Sequence, residues 1–243
     1  MKLFDAFERI VVINLPERTD RRSEMMAELG KAGVDAFDPR LRFLPAIRPT
    51  SAGAFPGIGA RGRYASHLAA IESAIRDRVS GVLILEDDLA LSPAACEAQY
   101  ALTERLQAGN WDFCYPGHAL PQTSAAAHPA WKVTNTPLES ARFYGLHRRV
   151  LVELRDYLEA CAHRAPGHPD GGPMHVDAAY SMFRDRRRDL VTLVATPSLG
   201  GTRSSRSDFT DDRWYRPEPV AQVFSGQARN MLRAASQSAV ASR

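Results

Sequence analysis

Val82-Leu83-Ile84-Leu85-Glu86-Asp87-Asp88 sets four consecutive aliphatic residues directly against three carboxylates. An apolar run of this length, stopped by Gly81 before it, reads as a strand buried on both faces rather than one that alternates between core and solvent. A second run of the same kind, Ile10-Val11-Val12-Ile13-Asn14-Leu15, is bounded by Pro16. Between them Leu68, Ile71, Ile75 and Val79 recur at helical spacing. Two continuous strands separated by a helix predict an α/β domain with a mostly parallel central sheet flanked by helices.

In open sheets of this kind ligands bind outside the carboxyl ends of the strands, where Glu86, Asp87 and Asp88 fall. Three adjacent carboxylates repel one another, so a cation is expected to favour them. Hard oxygen ligands suit Mg²⁺ or Mn²⁺ bridging to a phosphate rather than zinc. If the trio is extended, Glu86 and Asp88 share a face and Asp87 points away. A solvated acidic turn leading into Ser92-Pro93 is the simpler alternative. The surrounding loops favour a ligand: Arg18, Arg21 and Arg22 follow the first strand, and Arg203-Ser204-Ser205-Arg206-Ser207-Asp208 follows the last. Guanidinium and hydroxyl groups are the donors a nucleoside diphosphate needs.

The rest of the chain is read more coarsely. Thr19 or Asp20 is expected to cap a helix with Met25, Met26 and Leu29 on one face that ends at Gly30 and Gly33. Residues 37–62, with four prolines, read as loop, and Ser66 as the N-cap of the next helix. Short strands are expected at 111–116, 141–146 and 190–195, and a helix carries Val150, Leu151, Leu154 and Leu158. Residues 165–173 (APGHPDGGP) read as an exposed loop able to close over a ligand, with a short helix starting near Asp177. The organisation expected is one domain over 1–219 and a helical tail over 220–243 that docks on the core, pairs with a partner or touches a membrane surface.

At 243 residues and a net charge of +3 the chain has ordinary globular composition. Only Lys2, Lys31 and Lys132 are lysine; the other basic residues are arginines spread along the sequence. That spread, without interleaved aromatics, argues against a nucleic-acid-binding protein. There is no signal-peptide pattern and no apolar run of membrane-spanning length. Cys96, Cys114 and Cys161 have no metal-ligand spacing and read as free thiols. A cytoplasmic location is expected, with peripheral contact at an inner membrane left open.

Four segments, in this order, resemble family 25 of the glycosyltransferases, the bacterial lipopolysaccharide-type sugar transferases. They are Val12-Ile13-Asn14-Leu15-x-x-Arg18-x-x-Arg21-Arg22, Gly62-x-x-x-Ser66-His67-Leu68, Leu83-x-Leu85-Glu86-Asp87-Asp88, and a set made of Phe143-Tyr144-Gly145, His175-Val176-Asp177 and Leu199-Gly200 through Asp208. The resemblance implies a single GT-A-type domain, a nucleotide-sugar donor (a UDP-sugar), a divalent metal and inversion at the anomeric carbon. It places Asn14, Arg18 and Arg21 at the nucleotide, and Ser66 and His67 beside the donor. Asp87, Arg203, Ser205 and Arg206 are expected at the donor as well. Asp88 and Glu86 are the expected metal ligands, with His175 completing the shell or orienting the acceptor. Asp177 is the expected general base and Asp208 the second choice. The acceptor is a glycan, a lipid-linked saccharide or a protein. Competing readings are a non-catalytic nucleotide-sugar-binding protein, a metal-dependent phosphohydrolase, or a nucleotidyltransferase. The last lacks its usual glycine loop, since Asn14-Leu15-Pro16-Glu17-Arg18 contains none.

Overall fold

A computed structural model describes residues 2–97, 100–120 and 129–203, which lie within one compact unit. Ser205, Arg206, Asp208, the boundary at residue 219 and the tail over 220–243 lie outside the described residues. The two apolar runs are strands β1 (Arg9–Asn14) and β3 (Gly81–Glu86). They pair in parallel at the heart of a seven-stranded sheet. With β2 (Leu41–Pro45), β4 (Leu89–Leu91), β5 (Phe113–Tyr115), β6 (Ala130–Val133), β7 (Phe143–His147), β8 (Thr192–Thr196) and β9 (Gly200–Thr202), the main sheet has the order β2-β1-β3-β7-β5-β8-β6. Five strands run one way; β7 and β6 run against them. β4 and β9 form a separate antiparallel pair.

The continuous apolar runs are explained by two cores, one on each face. Val11, Ile13, Val82 and Ile84 point into one, packed by helices α2 (Ile58–Arg76), α5 (Arg148–His163) and α6 (Val176–Arg186). Ile10, Val12, Leu83 and Leu85 point into the other, with Leu3 and Phe4 of an N-terminal 3₁₀ turn, α1 (Thr19–Lys31) and α4 (Tyr100–Gln107). A short α3 (Pro93–Cys96) follows Ser92. A strand buried on both sides has no polar positions to alternate, so period two vanishes from its sequence. No helix among the described residues is long and apolar enough to cross a membrane. All three cysteines are free.

Four local expectations need correction. Part of the segment read as loop is the edge strand β2, which pairs in parallel with β1. Only Leu41 in it is buried, and Pro45 ends it, so the sequence carries little strand signal. Ser66 is not an N-cap: α2 begins two turns earlier, and Ser66 lies in mid-helix. Its hydroxyl donates to the Gly62 carbonyl (2.7 Å) and accepts from the Ile47 amide (2.8 Å). It therefore caps a neighbouring loop rather than its own helix. Gly62 is required because a Cβ there would stand 2.8 Å from the Ile47 carbonyl oxygen. Helix α1 starts at Thr19 with Arg18 as its N-cap, and no side chain caps it. Residues 165–173 are irregular, but the end of the segment is anchored. Arg164 Nη1 donates to the Asp170 carbonyl (2.6 Å), Arg186 Nη1 to Asp170 Oδ1 (2.7 Å), and Gly171–Pro173 are buried.

β7 is the strand on which the halves of the sheet meet, and Gly145 is the reason it fits. A Cβ there would come within 2.6 Å of Cys114 Sγ and of Phe7 Cε1. Gly145→Ala is expected to destabilise the fold by about 1–3 kcal/mol in urea unfolding. Gly201→Ala, where a Cβ meets nothing within 4 Å, should leave the midpoint unchanged. A second test concerns His147, the N-cap of α5, whose Nδ1 accepts from the Arg149 amide (3.3 Å). Burial, reinforced by the Arg149 charge, lowers its pKa below the usual 6.5. The unfolded chain therefore binds the extra proton first as pH falls, so this contribution is complete above about 6.5 and is lost below it. Relative to His147→Asn, a cap that does not titrate, the wild type is expected to lose unfolding free energy between pH 7.5 and 5.5, a small loss because the site is partly exposed to solvent.

Candidate active site at the carboxyl edge of the sheet

β3 ends at Glu86, and the chain turns through Asp87 and Asp88 into β4. The pleat that sends Val82 and Ile84 toward α2 sends Glu86 the same way. There it meets His67 and Arg63, one turn apart on α2. Arg63 Nε lies 2.5 Å and His67 Nε2 2.9 Å from Glu86 Oε1. Asp87 turns to the other side, toward the end of β1. Asn14 Nδ2 donates to its Oδ2 (2.7 Å) and Arg21 Nη1 to its Oδ1 (3.1 Å). Asp88 returns to the side of Glu86. Both face Arg142, whose Nε is 3.2 Å from Asp88 Oδ1 and 3.7 Å from Glu86 Oε2. Glu86 and Asp88 thus lie together and Asp87 apart, the division expected of an extended trio, although the strand stops at Glu86 and the chain turns at Asp87 and Asp88.

The repulsion that suggested a metal ion in the sequence is thus met by arginines of the chain itself. Arg63, Arg21 and Arg142 serve Glu86, Asp87 and Asp88 in turn. The balance differs among the three. Burial alone would raise the Glu86 pKa, but Arg63, His67 and Arg142 outweigh it and hold the carboxyl well below its ordinary value. For Asp87 burial wins over Asn14 and Arg21, and its pKa is raised. Asp88 is also raised, by burial and by the Glu86 charge, with Arg142 opposing.

Behind Glu86 lies a fully buried polar chain. His67 Nδ1 is 2.8 Å from the Tyr144 hydroxyl, which is 2.8 Å from that of Tyr180. Burial lowers the His67 pKa despite the pull of Glu86, which favours the neutral ring. An ionised carboxylate only accepts, so the single ring proton sits on Nε2 and is donated to Glu86. Nδ1 must then accept from Tyr144, and Tyr144 in turn accepts from Tyr180. Every donor in the row points toward Glu86, and the charge of one carboxylate orients three buried side chains.

The other expected residues are distributed as follows. Asp177 lies in the first turn of α6, where its Oδ1 accepts from the Ala178 amide (3.1 Å). Its Oδ2 is 3.7 Å from Arg63 Nη1, so Arg63 links it to Glu86. His175 is the N-cap of α6. Among the described residues no three His, Cys, Asp or Glu side chains gather as a metal-holding group, so His175 does not join Glu86 and Asp88. Arg18 pairs with Asp20 (2.8 Å). Arg203 donates through Nη2 to the Asp87 carbonyl, and its amide donates to the Asp88 carbonyl (2.8 Å). Ser66 faces Ile47, away from His67.

Arg63, Arg142 and Tyr180 were missed from sequence. Arg63 precedes His67 by four positions, so helical spacing alone aligns them once α2 is known to start before Ser66. Arg142 carries no local signal. It arrives because β7 pairs antiparallel with β3, with Leu85 opposite Phe143 and the Glu86 amide donating to the Arg142 carbonyl (2.9 Å).

No protein-family profile matches the chain. It is similar to a protein of Anopheles gambiae named Glycosyltransferase 25 family member, with 28% identity over 129 residues, covering 46% of this chain and 22% of that relative. The match therefore spans about a fifth of the relative's length. A crystal structure of a glycosyltransferase involved in the glycosylation of the major capsid of PBCV-1 superposes with a TM-score of 0.42 and 12% identity, covering 76% of this chain and 91% of that one. The similarity is thus to a protein named as a member of glycosyltransferase family 25, the family this chain's motifs resemble.

Proposed function

We propose that this chain is a glycosyltransferase that moves a sugar from a nucleotide-sugar donor, a UDP-sugar, to a hydroxyl acceptor on a glycan, a lipid-linked saccharide or a protein, with inversion at the anomeric carbon. The observation that carries the reading is the joining of three carboxylates at one edge of the sheet: Glu86 and Asp88 share Arg142, and Glu86 shares Arg63 with Asp177. An acidic pair suited to the diphosphate end of a donor thus lies one side chain from a carboxylate suited to act as a base. The sequence similarity to a protein named as a glycosyltransferase supports the same assignment.

Glu86 and Asp88 fit a divalent cation. They offer hard oxygens on one side of the turn, already bridged by one cationic group, Arg142. Mg²⁺ and Mn²⁺ commonly take one or two carboxylates and complete their shell with water and phosphate, so a third protein ligand is not required. When bound, the ion supplies positive charge to the departing diphosphate.

The chain's own residues perform the remaining tasks. Asp177 accepts the proton of the acceptor hydroxyl as its oxygen forms a bond to the anomeric carbon. On the opposite face the bond from that carbon to the diphosphate oxygen breaks, and the electron pair leaves with the phosphate. Arg63 positions Asp177 relative to Glu86. Asn14 and Arg21 hold Asp87 and so fix the turn that carries Asp88. Arg18, Arg203, Ser205 and Arg206 remain candidates for the nucleotide, Asp208 is the alternative base, and His175 the candidate that orients the acceptor.

Asp88→Ala is expected to abolish transfer together with Mn²⁺-dependent donor binding; full transfer by this variant removes the cation assignment. Asp177→Asn should bind donor normally and turn over about 10²–10⁴-fold more slowly. A weakened donor affinity in that variant would make Asp177 a binding residue instead. A thermal-shift panel of nucleoside diphosphates with and without Mn²⁺ checks the donor class. Metal-dependent stabilisation by uridine diphosphate is expected. Binding without turnover toward any acceptor identifies the non-catalytic alternative.

A further inference from the structure

Three arginines neutralise the carboxylate turn, and they are not equivalent. Arg21 is buried against Asp87, and Arg63 is held between Glu86 and Asp177. Arg142 approaches its carboxylates from the side, through Nε alone. Its contacts of 3.2 and 3.3 Å to Asp88 are at or beyond the long end of hydrogen-bond distances. Neither of its terminal amino groups has a hydrogen-bond partner among the described residues, and its side chain is 31% exposed. It lines a cleft with Gly117, Ser140, Gly200, Gly201 and Thr202. A Cβ at Gly117 would stand 3.0 Å from Phe143 Cβ, and one at Gly200 2.8 Å from Leu89 Cδ1, so both glycines are packed closely against side chains that also line the cleft. At Gly201 the space is open.

A guanidinium presents two parallel N–H donors along its free edge, a geometry that matches two oxygens of a phosphate. We propose that Arg142 is a partner-switching residue. Without ligand it is the counter-ion of Glu86 and Asp88. When a nucleoside diphosphate enters the cleft, its terminal amino groups grip a phosphate and its hold on the two carboxylates loosens, freeing them for the cation that accompanies the diphosphate. The inference rests on the nucleotide-sugar reading above and adds a residue and an order: diphosphate and cation bind together, and the cation alone competes with Arg142.

The consequence is a pair of opposite effects that a structural role would not produce. In the full chain, Mn²⁺ binding without nucleotide is measured by electron paramagnetic resonance, and binding of uridine diphosphate and of pyrophosphate by calorimetry in the presence of Mn²⁺. Arg142→Gln is expected to bind Mn²⁺ alone at least about 3-fold more tightly than wild type and both phosphate probes about 10-fold or more weakly, the scale of a lost charge-assisted hydrogen bond. Arg142→Lys keeps the charge without the fork and should fall between the two for the phosphates. Phosphate affinities within 2-fold of wild type in Arg142→Gln, or parallel losses of Mn²⁺ and phosphate binding in both variants, overturn the proposal while leaving the donor reading intact. Absence of saturable diphosphate binding by the wild type itself overturns the donor reading and this inference with it.

Discussion

The ionised carboxylate of Glu86 organises this end of the molecule. It sits where a buried strand runs out of sheet, with little water to solvate it. Arg63 and His67 supply the missing solvation at 2.5 and 2.9 Å. Loss of a partner from such a pair leaves an uncompensated charge and costs roughly 3 kcal/mol, the low end of the range because the pair is not fully enclosed. The same charge reaches further through the neutral His67, since it selects the ring tautomer and thereby the direction of the Tyr144 and Tyr180 hydroxyls. A polar row through an otherwise apolar core is tolerable because each member has its partner.

The sheet delivers these groups to one place by different routes. Parallel pairing sets the ends of β1 and β3 side by side, so Asn14 and Arg21 reach Asp87. The reversal of β7 matters as much. An antiparallel neighbour brings its amino end to the edge where β3 brings its carboxyl end, and Arg142 stands just before that amino end. With β7 parallel, the residue beside Glu86 would instead come from the far end of the strand. The mixed sheet is thus the means by which a third arginine meets the turn.

In the proposed transfer, the site divides its labour between fixed and free charges. Asp87 is held by Asn14 and Arg21 and serves the turn. Glu86 and Asp88 face the cleft side, where Arg142 approaches them through Nε and lines the cleft. Arg63 lies between this pair and Asp177, joining the end of the donor that departs to the group that would take the acceptor proton. An arrangement so nearly neutral within itself admits a charged ligand only by exchanging partners, not by filling an empty charge.

The sequence alone determined the strands β1 and β3, the α/β class, the helix carrying Val150, Leu151, Leu154 and Leu158, the helix near Asp177, and the place of the acidic turn at a strand end. These rest on local periodicity and on residues that end a strand or helix, and both are written along the chain. It also paired Glu86 with Asp88 on the assumption of an extended trio, a division the structure reaches through a turn at Asp87 and Asp88. The tertiary structure decided what neutralises the turn. Arg142 is brought by antiparallel register, and Arg63 by a helix that starts two turns before Ser66. Ser66 was misread for the same reason: its hydroxyl serves a loop 19 residues away, a contact with no signature near residue 66. Edge strands β2 and β6 were invisible because each has a single partner and few buried positions. Charge pairs join residues far apart in sequence through packing on a shared edge. The carboxylates were therefore legible at once, while their arginines emerged only when the sheet was assembled.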